Sequence, residues 1–293
     1  MPIQKVTKLN TGAIMPHIGL GTWKSQPGKV EHAVETALKN GYRHIDTATA
    51  YDNEKQVGEG IKASGVSRSE IFLTTKLNNN DHKDVLGALN KSLGLLGTEY
   101  VDLYLLHWPA PMTNDWKADK SLNWHDTWKK IEKVYREHPE KVKAIGVSNV
   151  SAAYLKDLLA LPDVIVPAVN QVERHPSCLE EEVLAACEKA GIVITAYSPL
   201  GSDQSPLLKN DVVLRLAEKY NITPANVLVS FQVNTPNVNV LPKSVTPERI
   251  IGNLKVVDLT EEEIAELKGI DKANHFRACP PTWTGWGNLG FTD

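Results

Sequence analysis

The segment Val101-Asp-Leu-Tyr-Leu-Leu-His107 is one of eight short apolar runs in this chain, and each run ends at a polar or aromatic residue. The other seven runs cover residues 18–23, 42–46, 71–76, 142–149, 166–171, 192–197 and 238–243. Short, mostly apolar runs that contain many β-branched residues are typical of the buried strands of a parallel sheet. The eight runs therefore predict eight parallel strands.

Helical patterns lie between these predicted strands. Apolar residues recur at helical spacing over residues 30–39, 85–96, 124–136, 152–161, 179–190, 211–220 and 223–233. Ser151, Thr223 and Thr246 are predicted N-caps, and Thr260-Glu-Glu-Glu263 matches a capping box. This alternation of strands and helices predicts right-handed βαβ units around a parallel sheet.

The count of eight units predicts a closed barrel. No linker rich in Gly, Ser or Pro divides the 293 residues, so we expect one domain over residues 1–293. A doubly wound sheet is less favoured, because Gly19-Leu-Gly21-Thr-Trp23 lacks the third glycine of a phosphate-binding turn. The predicted fold is an α/β (β/α)₈ TIM barrel with an N-terminal β-hairpin, two extra helices and a C-terminal substrate loop.

Three segments without helical or strand periodicity are expected to rim a pocket. They are Pro109–Asn123, Gly201–Lys209 and Asn274–Asp293. Long loops at the carboxyl ends of barrel strands commonly carry specificity. The hairpin expected over Val6–Pro16 has the turn residues Asn10-Thr-Gly12 and is predicted to plug the opposite end of the barrel.

Composition excludes several classes of function. The net charge of −3 gives no general attraction to nucleic acid, and no run approaches the roughly 20 apolar residues that span a bilayer. Cys178, Cys187 and Cys279 have neither disulfide nor metal-ligand spacing, although Cys279 is a candidate for the pocket wall. We expect no metal site, and a cytoplasmic protein, since no signal peptide is visible.

Three of the strand ends carry residues that are suited to proton transfer. Asp46, Lys76 and His107 each end a predicted strand, and Tyr51 follows in the loop after Asp46. Active sites of these barrels lie at the carboxyl ends of the strands, so the four residues should converge. The Lys76 ammonium is expected to lower the pKa of the Tyr51 phenol, while Asp46 holds Lys76 charged. A neutral His107 would orient a carbonyl oxygen.

The chain resembles the aldo-keto reductase superfamily from end to end. The motifs are Gly41-Tyr-Arg-His-Ile-Asp-Thr-Ala-Thr-Ala-Tyr51, Thr74-Thr-Lys76, Leu105-Leu-His-Trp-Pro109, Ile145-Gly-Val-Ser-Asn149, Tyr197-Ser-Pro-Leu-Gly201 and Pro242-Lys-Ser-Val-Thr-Pro-Glu-Arg249. The resemblance implies a barrel that binds NADPH/NADP⁺ and reduces aldehydes or ketones to alcohols. It assigns the catalytic tetrad to Asp46, Tyr51, Lys76 and His107, with Tyr51 as the general acid.

The same resemblance assigns the cofactor positions. Amide contacts to the nicotinamide fall on Ser148, Asn149 and Gln171, and the ring that stacks on it is Tyr197. The other implied contacts are to the pyrophosphate, the 2′-phosphate and the adenine. They fall on Thr22, Ser198, Leu200, Ser202, Lys243, Ser244, Thr246, Arg249 and Asn253. Lys and Arg suit a phosphate through charge-assisted bonds.

Substrate contacts are expected from the tryptophans Trp23, Trp108, Trp283 and Trp286. The chain departs from the family at Leu77-Asn78, where a Trp is frequent. Its likeness to fungal xylose, glycerol and general aldehyde reductases suggests sugar or glyceraldehyde-type substrates. A non-catalytic, nucleotide-sensing binding subunit is the alternative. The expected partner is a small-molecule carbonyl compound, without nucleic acid or membrane, for a monomer or a dimer.

Overall fold

A computed structural model describes residues 5–203 and 205–292 of the chain. Gln204, in the loop expected at the pocket rim, and Asp293, at the end of the tail, lie outside the described residues. The chain opens with a two-stranded antiparallel hairpin, in which β1 (Val6–Lys8) pairs with β2 (Ile14–Pro16). This confirms the predicted hairpin.

The next eight strands form the parallel barrel that the eight apolar runs predict. They are β3 (Leu20–Gly21), β4 (His44–Asp46), β5 (Phe72–Leu77), β6 (Leu103–Leu106), β7 (Ile145–Ser148), β8 (Val169–Glu173), β9 (Val193–Tyr197) and β10 (Val238–Leu241). Each strand pairs with its neighbour in chain order. The Gly19 amide donates to the Val240 carbonyl over 2.9 Å, and Gly21 donates to Pro242 over 3.1 Å, which closes the barrel.

Ten α-helices lie within the described residues, eight of them after barrel strands and two additional. They are α1 (Val30–Lys39), α2 (Glu54–Ser64), α3 (Val85–Leu96), α4 (Trp124–Glu137), α5 (Ala152–Leu159), α6 (Glu181–Ala190), α7 (Asp211–Tyr220), α8 (Pro224–Val233), α9 (Pro247–Gly252) and α10 (Glu261–Ala273). The Ser151 hydroxyl caps α5, and Thr223 and Thr260 form reciprocal capping boxes. Helix α6 starts two residues after the predicted Leu179, and α5 ends two residues before the predicted Leu161.

The hairpin covers the amino-terminal end of the barrel. Its buried Leu9 and Met15 belong to a cluster with Phe72, Leu103 and Val169, which are the first residues of β5, β6 and β8. The Asn10 amide fixes the turn by donating to the carbonyls of residues 166 and 167. Because this end is sealed by apolar packing, access to the barrel interior is from the carboxyl ends of the strands.

Alternation along each strand decides which side chains face the interior. In β5, Thr74 and Lys76 share one face, and in β4 His44 and Asp46 do the same. The parallel register places Asp46 opposite Thr74 and Lys76 opposite Leu105. The residues Asp46, Lys76 and His107 are therefore offset by two positions from one strand to the next at the carboxyl end of the barrel. In the described parts of the chain, no helix is long and apolar enough to cross a membrane.

Candidate active site

A cavity of about 870 Å³ opens at the carboxyl ends of the barrel strands. Its floor includes Asp46, Tyr51 and His107. All three segments that were expected at the rim contribute to its wall. The insertion after His107 supplies Trp116, the loop after β9 supplies residues 202, 203 and 208, and the tail supplies residues 278–280 and 283.

Lys76 is the centre of the polar group below this cavity. Its Nζ lies 2.5 Å from Asp46 Oδ1, donates to the Thr47 carbonyl over 2.8 Å and donates to Tyr51 Oη over 3.2 Å. All three ammonium hydrogens therefore have an acceptor. Burial lowers the pKa of Lys76, but Asp46 and Tyr51 raise it by more, so the ammonium stays charged. Lys76 is fully buried and is not part of the cavity wall.

Tyr51 is placed by a short turn after β4. A single 3₁₀ turn covers Thr49–Tyr51 and ends at Asp52, which has the left-handed φ of 53°. This turn brings the phenol back over the end of the strand, and the Tyr51 ring meets the His107 ring edge-on at 5.7 Å. The four residues of the expected tetrad are thus together.

The prediction that the pKa of Tyr51 is lowered is wrong. Burial raises the pKa of the Tyr51 phenol, and this effect outweighs the opposing charge of Lys76. A desolvated phenolate loses more hydration energy than one ammonium at 3.2 Å restores. Tyr51 is consequently protonated throughout the neutral range, which is the form that a proton donor needs.

His107 is neutral, as expected. Its burial, with a smaller contribution from the Lys76 charge, lowers the pKa of the imidazole well below its ordinary value. The Nδ1 atom is buried and has no hydrogen-bond partner among the described residues, so Nε2 is the nitrogen that faces the cavity. The backbone of His107 is held by the Asn149 amide, which donates to its carbonyl over 2.9 Å.

Four polar residues at the carboxyl ends of β7, β8 and β9 form a hydrogen-bonded wall beside the tetrad. The Ser148 hydroxyl donates to the Gln171 carbonyl, and the Tyr197 hydroxyl donates to Asn149 Oδ1, each over 2.8 Å. Asn149 has a left-handed φ of 60°, which turns its side chain into the cavity. Gln171 Nε2 donates to Asp46 Oδ2 and connects this wall to the tetrad.

Cationic residues collect at the far end of the cavity. Lys243 and Arg249 line it together with Ser244 and Thr246. Burial lowers the pKa of Lys243, and Lys24 and Lys29 add to this effect against the opposing Asp203 carboxylate. This accumulation of positive charge suits a polyanionic ligand.

An exposed ion pair joins two of the loops that line the cavity. Lys24 Nζ lies 3.1 Å from Asp203 Oδ2 and joins the loop after β3 to the loop after β9. Thr22, Ser198, Leu200 and Ser202 line the cavity on either side of this contact. Of the residues expected at the cofactor, Asn253 is the exception. It is buried at the end of α9, where its backbone N–H donates to the Arg249 carbonyl, and it does not line the cavity.

The aromatic wall consists of Trp23, Trp108, Trp116 and Trp283. Trp108 is 7% exposed, and its ring meets that of the 51% exposed Trp283 edge-on at 5.7 Å. The expectation for Trp286 is not met, because it does not line the cavity. Its indole Nε1 donates to the Pro111 carbonyl over 2.9 Å and so ties the tail to the insertion.

The structure adds residues to the site that the sequence argument did not assign to it. Asn78, Asn79 and Trp116 line the cavity, and so does Cys279, which was only a candidate. Asn78 lies two residues after Lys76, so strand alternation was a usable signal for it. Trp116 and Cys279 lie in aperiodic segments, where no local pattern indicates which side chain turns inward. Burial raises the pKa of the Cys279 thiol to about 12.

Comparison with known proteins agrees with this geometry. The profile of the Aldo/keto reductase family matches residues 17–272, and the chain belongs to that family. It is 45% identical to the glycerol 2-dehydrogenase (NADP(+)) of Saccharomyces cerevisiae, over 96% of this chain and 95% of that protein. It is 46% identical to the D-galacturonate reductase of Hypocrea jecorina, over 89% and 88% of the two chains. The structure of a Bombyx mori aldo-keto reductase in complex with NADP superposes with a TM-score of 0.90 at 32% identity, over 99% and 100% of the two chains.

Proposed function

We propose that this protein reduces aldehydes and ketones to alcohols with NADPH, and that Tyr51 is the general acid. The observation that carries the proposal is the bridge from the Asp46 carboxylate through the Lys76 ammonium to the Tyr51 phenol, beside a neutral His107 at the floor of a cavity. These groups can protonate an oxygen and orient a carbonyl group.

NADP(H) is the proposed cofactor because the donor set of the cavity fits it. The amides of Asn149 and Gln171 and the Tyr197 ring lie next to the tetrad, where a carboxamide-bearing ring would be held. Lys243 and Arg249 lie at the far end, where an additional phosphate would be paired. The names of the relatives agree, since one is an NADP(+) dehydrogenase and another was crystallised with NADP. When bound, the nicotinamide supplies a hydride to the carbonyl carbon.

Tyr51 supplies the proton. The phenol is protonated at neutral pH, and it transfers its hydrogen to the carbonyl oxygen as the carbon–oxygen double bond becomes a single bond. The phenolate that remains lies 3.2 Å from the Lys76 ammonium, which stabilises it. Asp46 keeps that ammonium charged, so Asp46 and Lys76 act through Tyr51 rather than on the substrate.

His107 orients the substrate. Because the imidazole is neutral and its Nε2 faces the cavity, we assign the proton to Nε2, where it donates to the carbonyl oxygen. This donor and the Tyr51 hydroxyl define one place for the oxygen. The aromatic side chains Trp23, Trp108 and Trp283 enclose the rest of a small carbonyl compound and exclude water.

The test is NADPH consumption with a panel of reactive aldehydes, for the wild type and for Tyr51→Phe. We expect turnover by the wild type and loss of nearly all turnover in the variant, while NADPH affinity, measured by protein fluorescence, is retained. Tyr135→Phe is the matched control, because Tyr135 packs against the core away from the cavity. Tight NADPH binding without turnover by the wild type would contradict the proposal and favour a nucleotide-sensing protein.

A further inference from the structure

Four side-chain amides line the cavity, and they differ in what their NH₂ groups contact. Gln171 donates to Asp46, Asn149 donates to the His107 carbonyl, and Asn79 donates to the Ala110 carbonyl. The NH₂ group of Asn78 has no hydrogen-bond partner among the described residues, and it is not sealed from the cavity. Asn78 is therefore an amide donor that is available to a ligand.

The orientation of the Asn78 amide is determined by its neighbour. The Asn79 backbone N–H donates to Asn78 Oδ1 over 2.9 Å. A backbone N–H requires an acceptor, so the oxygen is assigned to that side and the NH₂ group to the other. The alternative flip would set two donors against each other and cost a hydrogen bond.

The backbone around Asn78 is rigid. Its carbonyl accepts the Asp81 N–H over 3.1 Å, and the Asn79 carbonyl accepts the Met112 N–H over 2.8 Å. Asn78 is only 7% exposed. A donor held in this way loses little conformational entropy when it binds a ligand.

The position of Asn78 is on the substrate side of the tetrad. It follows Lys76 by two residues, so its side chain turns to the same face as the lysine, and it lines the cavity with Tyr51, His107 and Trp108. The cationic residues Lys243 and Arg249 belong to the opposite, cofactor-binding end. Next to the reacting carbonyl group, the wall thus combines aromatic rings with the uncharged amide donor of Asn78, in addition to the Tyr51 and His107 donors of the tetrad.

We propose that Asn78 donates a hydrogen bond to a hydroxyl oxygen of the carbonyl substrate, which makes short, neutral hydroxyaldehydes the preferred substrate class; this rests on the reductase function proposed above. An alkyl aldehyde would cover the Asn78 amide without satisfying it, and a buried donor without a partner is costly. A hydroxyl group satisfies the same donor. The selection is made by the hydrogen-bonding capacity of the substrate and not by a charge.

The test compares glycolaldehyde with propanal, which differ by a hydroxyl in place of a methyl group. In Asn78→Leu, we expect kcat/KM for glycolaldehyde to fall about tenfold, while kcat/KM for propanal changes by less than about twofold. Hydration and dimerisation of the aldehydes cancel when the variant is compared with the wild type. Asn80→Leu is the matched control, since Asn80 is two residues further along and does not line the cavity.

Asn78→Asp is the second variant, and its near-identical shape protects against misfolding. The aspartate keeps an acceptor for the Asn79 N–H but has no N–H to donate. Methoxyacetaldehyde, whose ether oxygen only accepts, should therefore lose at least fivefold in kcat/KM relative to propanal, an effect of about one hydrogen bond. Glycolaldehyde should lose less than methoxyacetaldehyde, because its hydroxyl can donate to the carboxylate.

The outcomes separate the two proposals. A wild type that oxidises NADPH with none of these aldehydes overturns the reductase function itself. If the wild type reduces these aldehydes but the Asn78 variants keep the same ratios of kcat/KM among glycolaldehyde, methoxyacetaldehyde and propanal, only the role of Asn78 is overturned. An equal loss for all three aldehydes also overturns it, because it would indicate general damage to the tetrad.

Discussion

Gln171 Nε2 donates a hydrogen bond to Asp46 Oδ2 over 2.8 Å, while the other oxygen of that carboxylate contacts the Lys76 ammonium. The two residues are 125 positions apart in sequence and lie on β8 and β4. An amide assigned to the cofactor thus also holds the carboxylate that serves the proton donor. In the proposed mechanism, cofactor binding and proton transfer therefore share a buried contact.

Removal of the Gln171 amide should affect both processes. Gln171→Leu leaves Asp46 Oδ2 buried without its donor, so we expect a loss of about 1–3 kcal/mol in the free energy of unfolding. We also expect weaker NADPH binding and a lower kcat at saturating NADPH. Urea unfolding, fluorescence titration and steady-state kinetics check these three quantities, with the exposed Gln26→Leu as the control. Weaker NADPH binding with normal kcat and stability would show that the contact with Asp46 is dispensable.

Loss of the Lys76 ammonium should remove the stabilisation of the Tyr51 phenolate. In Lys76→Met we expect kcat to fall by about 10²–10⁴-fold, the usual contribution of general acid catalysis. The Lys76 charge opposes the increase in the Tyr51 pKa, so its removal raises that pKa further. Because the reduction requires protonated Tyr51, any decline of kcat/KM at alkaline pH should move to higher pH in the variant. A decline that moves to lower pH would contradict the expected increase in the Tyr51 pKa. Lys62→Met on the exposed face of α2 is the control.

The cationic end of the cavity should decide between NADPH and NADH. Arg249→Ala removes a charge-assisted contact to a phosphate, so we expect the Kd for NADPH to rise about tenfold to a hundredfold. The Kd for NADH should change by less than about twofold, since NADH lacks that phosphate. Fluorescence titration with both nucleotides measures the ratio, and Lys255→Ala is a control outside the cavity. Equal effects on the two nucleotides would remove Arg249 from the assigned role.

A buried carboxylate clamps the C-terminal tail onto the barrel. Glu173 accepts the backbone N–H groups of Ala278 and Cys279 at 2.7 Å each, and His175 Nε2 lies 2.9 Å from the same carboxylate. The tail residues that follow carry Trp283 into the aromatic wall of the cavity. The position of that wall therefore depends on Glu173.

Glu173→Gln replaces one accepting oxygen by a donor, so one tail N–H loses its partner. We expect a loss of about 1–3 kcal/mol in the free energy of unfolding and faster amide hydrogen exchange over residues 276–285. The KM for an aromatic aldehyde, which depends on Trp283, should rise more than the KM for glycolaldehyde. Glu182→Gln on the exposed face of α6 is the matched control. Unchanged exchange in the tail would disprove the clamp.

Two buried histidines should make the fold sensitive to acid. Burial lowers the pKa of His44 and of His82 to about 3. Between about pH 6.5 and 3, these side chains bind protons in the unfolded chain and not in the folded one, so stability falls as the pH falls. Within that window, each histidine lowers the free energy of unfolding by about 1.4 kcal/mol for every pH unit of acidification, and above it the histidines have no such effect.

Urea unfolding as a function of pH checks this prediction. Substitution of one histidine should remove its contribution to the slope of the free energy of unfolding against pH. His82→Gln should flatten the dependence by about 1.4 kcal/mol per pH unit relative to the wild type. The exposed His32→Gln should leave it unchanged. The prediction fails if both variants follow the slope of the wild type.

The sequence alone was sufficient for the barrel and for most of its strand ends. Apolar runs separated by amphipathic helices indicate parallel strands, and the last residue of each run is a candidate for the site. Asp46, Lys76 and His107 were found in this way, since a closed parallel barrel brings all its carboxyl ends to one face. The bounds of α1 and α3 were also predicted, because helical spacing of apolar residues is a local property of the sequence.

Only the tertiary structure decided the quantities that depend on neighbours distant in sequence. The sign of the Tyr51 pKa shift follows from how deeply the phenol is buried, and no pattern within the segment from residue 46 to residue 51 encodes that depth. The placement of Trp286 against the insertion rather than in the cavity depends on a contact across 175 residues. The free NH₂ group of Asn78 depends on which of four amides find partners inside the folded barrel. Local sequence determines periodicity and caps, whereas burial and hydrogen-bond satisfaction are properties of the assembled fold.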